Sequence, residues 1–246
     1  MYFANPVLIF FRVYLHIQVI VEGNIGSGKT SFIEHFTKRY PLTVYPLLEP
    51  VEKWRDVRGQ NMLALMYDDP RRWSFPFQQY VQLTMAELHK QQPDQINTAE
   101  VNDFTVKLME RSLYSARHCF VENLAAAKMI SEPEMIIYDE WYKFLTAQEF
   151  SKVDLIVYLK SDPETCHQRI RQRCRPEERQ IPLSYLEQLH EHHEKWLNDE
   201  HSINKLPAPV LTISNNHTDI SLLNGICEKA KPYLFGEKRI SCSHAL

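Results

Sequence analysis

The chain has 246 residues, of which 44% are hydrophobic and 24% are charged, and its formal net charge is −3. This composition is ordinary for a globular protein of one large domain or two small ones, and the absence of a basic excess argues against bulk nucleic-acid binding. The five cysteines form no C-x-x-C pair, which favours reduced thiols over a disulfide framework or a zinc site.

Residues 1–16 are interpreted as an extension whose role the sequence does not reveal. The run "VLIFFRVYLHIQVIV" is apolar, but Arg12 and His16 interrupt it, so it is shorter than a clean membrane span. It lacks the basic start of a signal peptide and the Arg- and Ser-rich composition of a transit peptide. We expect no membrane association and an intracellular place of action, either cytoplasmic or mitochondrial.

Short, nearly continuous apolar runs alternate with longer helical patterns along the chain. Buried strands of this kind are typical of a parallel sheet covered by helices on both faces, so the expected fold class is α/β. The predicted strands are 17–22, 43–50, 106–111, 153–159 and 208–214.

Two helices are indicated by apolar residues at helical spacing. "TSFIEHFTKRY" follows the first strand and stops before Pro41, and "SYLEQLHEHHEKWL" begins after Pro182. In the second helix, His190 and Glu194 lie one turn apart, but no third metal ligand is evident and an amphipathic helix is favoured. Its predicted buried stripe is Leu186, Leu189, His193, Trp196 and Leu197.

Two further segments differ in how clearly they can be assigned. "MIIYDEWYKFL" could open as a strand, but its length and its later apolar residues favour a helix. The polar stretch 90–104 is predicted to be a long loop.

The segment "GNIGSGKT" matches the pattern G-x-x-x-x-G-K-[ST] in full and lies between a predicted strand and a predicted helix. The glycines let backbone amides point inward at phosphates, and the helix N-terminus adds positive charge. Lys29 is expected to reach the β- and γ-phosphates, and the Thr30 hydroxyl to bind Mg²⁺. The predicted nucleoside triphosphate site is Gly23, Asn24, Ile25, Gly26, Ser27, Gly28, Lys29 and Thr30.

The segment "RIRQRCRPEER", residues 169–179, holds five arginines in eleven positions. A surface run, a nucleic-acid groove and a clamp for a phosphorylated ligand are the alternatives. Beside a triphosphate site, a hinged basic segment would supply positive charge to the transferring phosphoryl group and exclude water. A solvated helix face that ends before Pro176 remains the other interpretation.

Acidic residues lie at the carboxyl ends of two of the predicted strands. Glu49 in "EPVEKW" and the pair Glu110–Arg111 in "MERS" lie where side chains line the ligand crevice of an open α/β sheet. Glu49 is therefore placed to accept a proton from a substrate hydroxyl. The alternative for the acid–base pair is a structural ion pair at a strand end.

Together these segments resemble the deoxyribonucleoside kinase family, including its multisubstrate and mitochondrial-type thymidine kinase members, from about Ile17 to about Leu211. The resemblance implies a P-loop kinase fold with a five-stranded parallel sheet, helices on both faces and an arginine-rich lid at about 169–180. The kinase domain would span 17–235, followed by a tail at 236–246. The matching segments are "EGNIGSGKT", "EPVEKW", "PFQQYVQLTM", "MERSLYSARHCFVENL", "VDLIVYL", "RIRQRCRPEE" and "IPLSYLEQLHEHHEKWL".

The resemblance also implies a reaction and the residues that carry it. A homodimer would move the γ-phosphate of ATP, with Mg²⁺, to the 5′-hydroxyl of a deoxynucleoside. Glu49 would be the general base, Arg111 would lie near the 5′-oxygen, and Glu110 would share the Mg²⁺ with Thr30. The implied catalytic set is Lys29, Glu49, Arg111 and Arg173, and the implied lid arginines are Arg169, Arg173 and Arg175.

The same resemblance implies a nucleoside pocket. Tyr67 and Glu178 would hold the sugar 3′-hydroxyl, and Gln78 would read the base edge with two hydrogen bonds. A planar apolar slot with one amide suits thymine or, after the amide flips, cytosine, although any single aromatic residue here could belong to the core. The remaining implied pocket residues are Trp54, Met66, Phe77, Val81, Met85, Ala116 and Phe120.

Three of these residues bear on which base is preferred. Val81, Met85 and Ala116 are small or apolar, so they leave room for the 5-methyl group of thymine and offer a purine no hydrogen bonds. We therefore expect thymidine and deoxycytidine to be preferred over purine deoxynucleosides.

Two rival functions share the fold. A nucleoside monophosphate kinase needs extra cationic groups at the acceptor site, where Glu49 would instead repel a monophosphate. A P-loop protein retained as a structural subunit should lose catalytic residues, whereas Lys29, Thr30 and Arg111 are all present. The intact set favours an enzyme acting on a nucleoside.

Overall fold

A five-stranded, all-parallel sheet with the strand order β2–β3–β1–β4–β5 lies at the centre of the protein. The computed structural model describes residues 15–92, 104–178, 180–199, 206–216 and 221–238. The α/β class and the five predicted strands are confirmed. The strands are β1 Leu15–Glu22, β2 Val44–Leu47, β3 Phe104–Glu110, β4 Leu155–Lys160 and β5 Val210–Ser214.

Some strand ends differ from the predicted ones. β1 begins two residues early, inside the predicted extension, because Leu15 pairs with Phe104 of β3. β2 is half as long as predicted, since the chain leaves the sheet after Leu47 and Pro50 caps the next helix. Residues 1–14 of the predicted extension, 93–103 of the predicted loop and 239–246 of the predicted tail lie outside the described residues.

Helices cover both faces of this sheet, and "MIIYDEWYKFL" lies in one of them, as predicted. Their bounds are α1 Lys29–Arg39, α2 Val51–Arg55, α3 Met62–Asp68, α4 Pro70–Lys90, α5 Leu113–Ser115, α6 Glu122–Ala126, α7 Glu132–Thr146, α8 Pro163–Arg173, α9 Leu183–Leu197 and α10 Ser221–Leu234, with a π-helical turn at Ala116–Val121 and 3₁₀ turns at Glu149–Ser151 and Pro176–Glu178. No helix among the described residues is both long and apolar enough to cross a membrane.

Successive strand residues point to opposite faces, so the sheet separates two hydrophobic clusters. Val19 and Val21 of β1 pack on the face that α1 and α10 cover. Ile20, between them, packs on the face that α4 and α9 cover. The predicted stripe of α9 is confirmed, since all five of its residues are buried.

Helix α8 ends earlier than Pro176 would require. Arg173 is its last residue, and Cys174 has a left-handed backbone with φ of 56°. The chain therefore turns between the lid arginines, two residues before the proline.

Buried histidines support the second face of the sheet. The His89 Nδ1 lies 2.7 Å from the Gln18 Nε2, and the His89 carbonyl accepts from the buried Lys107 ammonium at 2.5 Å. Burial lowers the pKa of His89 to about 3 and that of His193 to about 3. Both imidazoles are therefore neutral in the folded protein.

Stability should consequently fall in mild acid. The unfolded chain protonates each histidine near pH 6.5, whereas the folded chain does not until far lower pH, so their contribution is present above pH 6.5 and is lost as pH falls towards 3. Between pH 7 and 5 we expect His89 alone to account for about 2 kcal/mol of lost unfolding free energy. Urea denaturation of the wild type and His89→Gln at both pH values measures this, and an equal pH dependence in the two proteins would contradict it.

Candidate active site

A cleft opens at the carboxyl ends of β1, β2 and β3, and its empty volume, including the open mouth, is about 850 Å³. β1 leads into the P-loop, residues 23–30, while β2 and β3 lead to Glu49 and to the Glu110–Arg111 pair. The ends of parallel strands share one edge of a sheet, which brings these distant segments together. All the predicted substrate-binding residues border this cleft.

The P-loop backbone takes conformations that favour glycine. Gly23, Gly26 and Gly28 have φ values of 141°, 80° and 94°. A Cβ atom on Gly26 would lie 2.7 Å from the Cys166 carbonyl oxygen, so there is no space for a side chain. Gly28 caps α1 without a side-chain hydrogen bond, which leaves the amide groups of the first turn to bind an anion.

The loop is anchored by side chains from both sides. Asn24 donates to the Leu186 carbonyl of α9 at 2.8 Å, and Asn215 after β5 donates to the Ser27 carbonyl at 2.7 Å. These contacts preorganise a phosphate cradle.

Lys29 lies inside this cradle. Its ammonium donates to the carbonyl oxygens of Gly23 at 3.2 Å and Asn24 at 2.8 Å. Burial, and secondly the nearby Arg111, lowers the pKa of Lys29 to about 8, so it carries its positive charge at neutral pH.

Thr30, in the first turn of α1, contacts Glu110, the last residue of β3. The Thr30 hydroxyl lies 3.0 Å from both carboxylate oxygens of Glu110. Hydroxyl and carboxylate oxygens are the hard ligands that Mg²⁺ prefers, and this ion commonly takes its remaining ligands from water and phosphate. The pair therefore fits a magnesium site, although no group of three or more potential metal-binding side chains occurs in the described ranges.

Arg111 and Glu49 form an ion pair within the cleft, with Nε and Oε1 2.9 Å apart. The Arg111 guanidinium also donates to the Gly23 carbonyl at 3.1 Å and lies 4.6 Å from the centre of the Phe120 ring. Burial raises the pKa of Glu49 above its ordinary value, while Arg111 opposes that rise. The sequence left open an ion pair between Glu110 and Arg111, whereas in the structure Arg111 pairs with Glu49, and both partners line the cleft.

Five residues that line the cleft were not predicted from the sequence, nor was Glu22 beside it; the five are Val51, Leu63, Ser112, Ser115 and Tyr185. Glu22, directly before the P-loop, is fully buried, and its carboxylate accepts from the Ser112 hydroxyl at 2.6 Å. Burial raises the pKa of Glu22 to about 7. Tyr185 lines the cleft from α9. A charged residue ending an otherwise apolar strand was the available signal for Glu22, and Tyr185 offered none.

The far end of the cleft is an apolar slot between α4 and the π-helical turn. Phe77 and Gln78 come from α4, and Phe120 comes from the turn. Gln78 lines the slot, and its Oε1 is buried and has no hydrogen-bond partner among the described residues. Trp54 meets Phe77 edge-on at 5.7 Å and donates to the Thr84 hydroxyl at 2.9 Å. These aromatic residues therefore belong to both the core and the slot.

Tyr67 of α3 and Glu178 of the 3₁₀ turn Pro176–Glu178 both line the cleft. Burial raises the pKa of Tyr67, so its hydroxyl keeps its proton. Glu178 is held by ion pairs with Arg173 and Arg175, the latter at 3.3 Å.

The structure separates the three predicted lid arginines. Arg173 and Arg175 line the cleft. Arg169 lies one turn earlier on α8 and donates to the carbonyl oxygens of Gly26 at 3.3 Å and Asn215 at 3.0 Å, so it contacts the P-loop backbone outside the cleft lining. The resemblance gave the three arginines one role, but Arg169, one turn before Arg173 on α8, reaches the carbonyl oxygens of Gly26 and Asn215 instead.

The sequence model of the deoxynucleoside kinase family matches residues 19–229. The chain belongs to the deoxynucleoside kinase family. It is 43% identical to the mitochondrial thymidine kinase 2 of Homo sapiens over 224 residues, covering 91% of this chain and 80% of that protein. It is 33% identical to the deoxycytidine kinase of Homo sapiens over 238 residues, covering 88% of this chain and 90% of that protein. It is 35% identical to the mitochondrial deoxyguanosine kinase of Xenopus laevis over 196 residues, covering 73% of this chain and 72% of that protein.

The predicted family is thereby confirmed. This deoxynucleoside kinase is an enzyme that phosphorylates deoxynucleosides in nucleotide salvage, with ATP as the phosphate donor.

Substitution of Gly26 by alanine should disable the ATP site of this kinase. The new Cβ would collide with backbone at 2.7 Å and occupy a left-handed conformation, so the loop must shift. We expect ATP affinity to fall by more than about tenfold, measured by calorimetry. Gly59→Ala is the matched control, because Gly59 has φ of 87° but nothing within 4 Å of a new Cβ. Equal ATP affinity in Gly26→Ala and Gly59→Ala would contradict the prediction.

Proposed function

We propose that this kinase transfers the γ-phosphate of ATP to the 5′-hydroxyl of pyrimidine deoxynucleosides, thymidine and deoxycytidine first among them. The observation that supports this most is the Gln78 amide oxygen, which is buried without a hydrogen-bond partner among the described residues, in an apolar slot of the cleft that holds the Glu49–Arg111 pair and part of the P-loop. A slot built around one amide is strongly selective for a ligand that satisfies its hydrogen bonds.

Pyrimidine preference is supported by the shape and polarity of the slot. Val81, Met85 and Ala116 are buried and apolar, and they border the side of the slot where a pyrimidine 5-substituent would lie. They offer no donor or acceptor for the additional ring nitrogens of a purine. The relatives described above include thymidine, deoxycytidine and deoxyguanosine kinases, so family membership leaves the base open.

The sugar is proposed to lie between the base slot and the ion pair. Tyr67, protonated, would donate to the 3′-hydroxyl, and Glu178, oriented by Arg173 and Arg175, would accept from it. A deoxyribose held in this way would direct its 5′-oxygen towards Glu49, which lines the same cleft.

Glu49 is proposed to act as the general base. One carboxylate oxygen pairs with Arg111, so the other is available to accept the 5′-hydroxyl proton as the oxygen attacks the γ-phosphorus. The bond from the γ-phosphorus to the bridging oxygen breaks, and ADP leaves. A carboxyl whose pKa is raised by burial is a stronger base than an ordinary carboxylate, which favours the proton transfer.

Cationic groups are proposed to hold the triphosphate. Lys29 and the P-loop amides would bind the β- and γ-phosphates, and Arg173 with Arg175 would approach from the lid. Thr30 and Glu110 would hold Mg²⁺, which neutralises phosphate charge when bound. Arg169 contributes by fixing the P-loop through the Gly26 carbonyl.

The first experiment offers thymidine, deoxycytidine, deoxyadenosine, deoxyguanosine and thymidine monophosphate separately to the purified enzyme with ATP and Mg²⁺. We expect the two pyrimidine nucleosides to be phosphorylated fastest. Glu49→Gln should lower kcat by about 10²- to 10⁴-fold because the base is lost. Glu52→Gln, which removes an exposed carboxylate of α2, is the matched control and should leave kcat unchanged.

Each alternative gives a different result. Equal rates on all four nucleosides would contradict the pyrimidine preference. Turnover of the monophosphate alone would assign a monophosphate kinase, and no turnover with ATP still bound would contradict the proposed reaction.

A homodimer is also proposed, in which a second copy covers the outer face of α7. This face exposes large apolar side chains with 50% to 60% of their surface accessible, and α4 adds Leu83 at 54%. Contiguous apolar surface of this kind marks an interaction site. The α7 residues concerned are Ile136, Ile137, Trp141 and Phe144.

A charge on this face should separate the two copies. Ile137→Glu is expected to halve the mass measured by light scattering, since burying an unpaired carboxylate in an apolar interface is costly. Leu42→Glu, at a similarly exposed leucine between α1 and β2, is the control and should stay dimeric. A wild-type protein that is already monomeric at micromolar concentration would contradict the proposal.

The place of action is proposed to be intracellular, either mitochondrial or cytoplasmic. Two of the relatives carry a mitochondrial designation in their names, whereas the human deoxycytidine kinase does not.

A further inference from the structure

The π-helical turn Ala116–Val121 has two functional faces. Ala116 and Phe120 border the base slot, whereas Arg117 and His118 do not. A π-helical turn is rare and has poorer intrinsic stability than an α-helix, and such turns are frequent at functional sites. The position of this turn therefore depends on what holds its other face.

Arg117 joins the turn to α7 through a two-pronged ion pair. Its Nε donates to the Asp139 Oδ1 at 2.5 Å, and its second terminal nitrogen donates to the Asp139 Oδ2 at 3.2 Å. The two side chains are 17% and 34% exposed, so solvent screens the pair only in part. A bidentate arginine–carboxylate pair is directional and fixes the relative position of the two backbones. The remaining terminal nitrogen binds Glu122 at 2.6 Å, within the same helical segment.

His118 provides a second connection to α7 and one to α9. Its Nε2 lies 3.2 Å from the Tyr142 hydroxyl, and its ring stacks on Trp196 at 5.4 Å with an angle of 18°. Burial lowers the pKa of His118 to about 4, so the ring is neutral and stacks without bringing a charge into the core. Asp139 and Tyr142 lie about one turn apart on α7 and hold adjacent residues of the π-helical turn.

We propose that Asp139 and Tyr142 are positioning residues for the nucleoside: through Arg117 and His118 they fix the turn that carries Ala116 and Phe120. Neither residue borders the cleft, so they set nucleoside affinity and base preference without touching the substrate. This inference rests on the proposed function in taking the slot as the nucleoside site. Lys29, Thr30 and the P-loop are supported by other elements, so ATP binding should be independent of α7.

The test compares variants of the two carboxylates that pair with the Arg117 guanidinium. Asp139→Ala removes the bridge to α7, whereas Glu122→Gln, the matched control, removes the ion pair within the turn's own segment and leaves the bridge in place. In Asp139→Ala we expect the KM for the preferred nucleoside to rise about tenfold, with kcat and the KM for ATP unchanged within about twofold. Asp139→Glu should recover most of the loss, and Glu122→Gln should resemble the wild type.

A binding measurement separates this effect from catalysis. Trp54 lies in the slot, so quenching of tryptophan fluorescence reports the nucleoside Kd without turnover. The Kd of Asp139→Ala should rise by the same factor as KM. The double variant Asp139→Ala/Arg117→Ala should have nearly the same Kd as Asp139→Ala alone, because both changes remove the same ion pair. If Asp139→Ala does not fold, the nucleoside Kd of Asp139→Asn, which keeps the side-chain shape, is compared with that of the wild type instead.

Two results would overturn the proposal: an unchanged nucleoside KM and Kd in a folded Asp139→Ala, or an equal loss in nucleoside affinity, ATP affinity and kcat. The second result would mean that Asp139 stabilises the whole fold only. Failure of the proposed function is seen separately, in the wild type, as preference for another acceptor. In that case the KM and Kd of the preferred acceptor test the positioning role in the same way.

Discussion

The buried guanidinium of Arg111 is the interaction on which the arrangement of the site depends. It pairs with Glu49 after β2, binds the Gly23 carbonyl after β1, and lies over the Phe120 ring of the π-helical turn. The Arg111 backbone is left-handed, with φ of 63°, which a non-glycine residue adopts only when surrounding contacts require it. One side chain thus joins the phosphate cradle, the proposed base and the base slot.

Buried groups of both signs lie around Arg111, and Arg111 itself pairs with Glu49. Glu49 and Glu22 lie near the guanidinium, and their burial raises both pKa values while Arg111 limits the rise. Ser112 uses its hydroxyl to bind Glu22 and to accept from two amides at the start of α5, which holds the chain directly after Arg111. Removing a single partner would leave a buried charge unpaired, so these residues act as a unit.

The slot proposed for the nucleoside is supported by elements that do not themselves form its walls. The walls come from α4 and the π-helical turn, and α7 and α9 hold that turn in place. The helix α7 also carries the exposed apolar face proposed to meet a second copy. The proposed positioning of the nucleoside and the proposed assembly of two copies therefore depend on the same helix, whereas the P-loop is held independently by Asn24 and Asn215.

The sequence by itself determined the features that depend on neighbouring residues. The P-loop is eight consecutive residues with glycine at each left-handed position, and the strands and the stripe of α9 follow from periodicity. Resemblance to a family supplied the cleft residues. Only the tertiary structure decided the rest: Glu22 meets Ser112 across a sequence separation of 90 residues, Arg169 binds the Gly26 and Asn215 carbonyl oxygens, and the π-helical turn is held by Asp139. These features arise from contacts between segments far apart in the chain, and local propensity carries no information about such contacts.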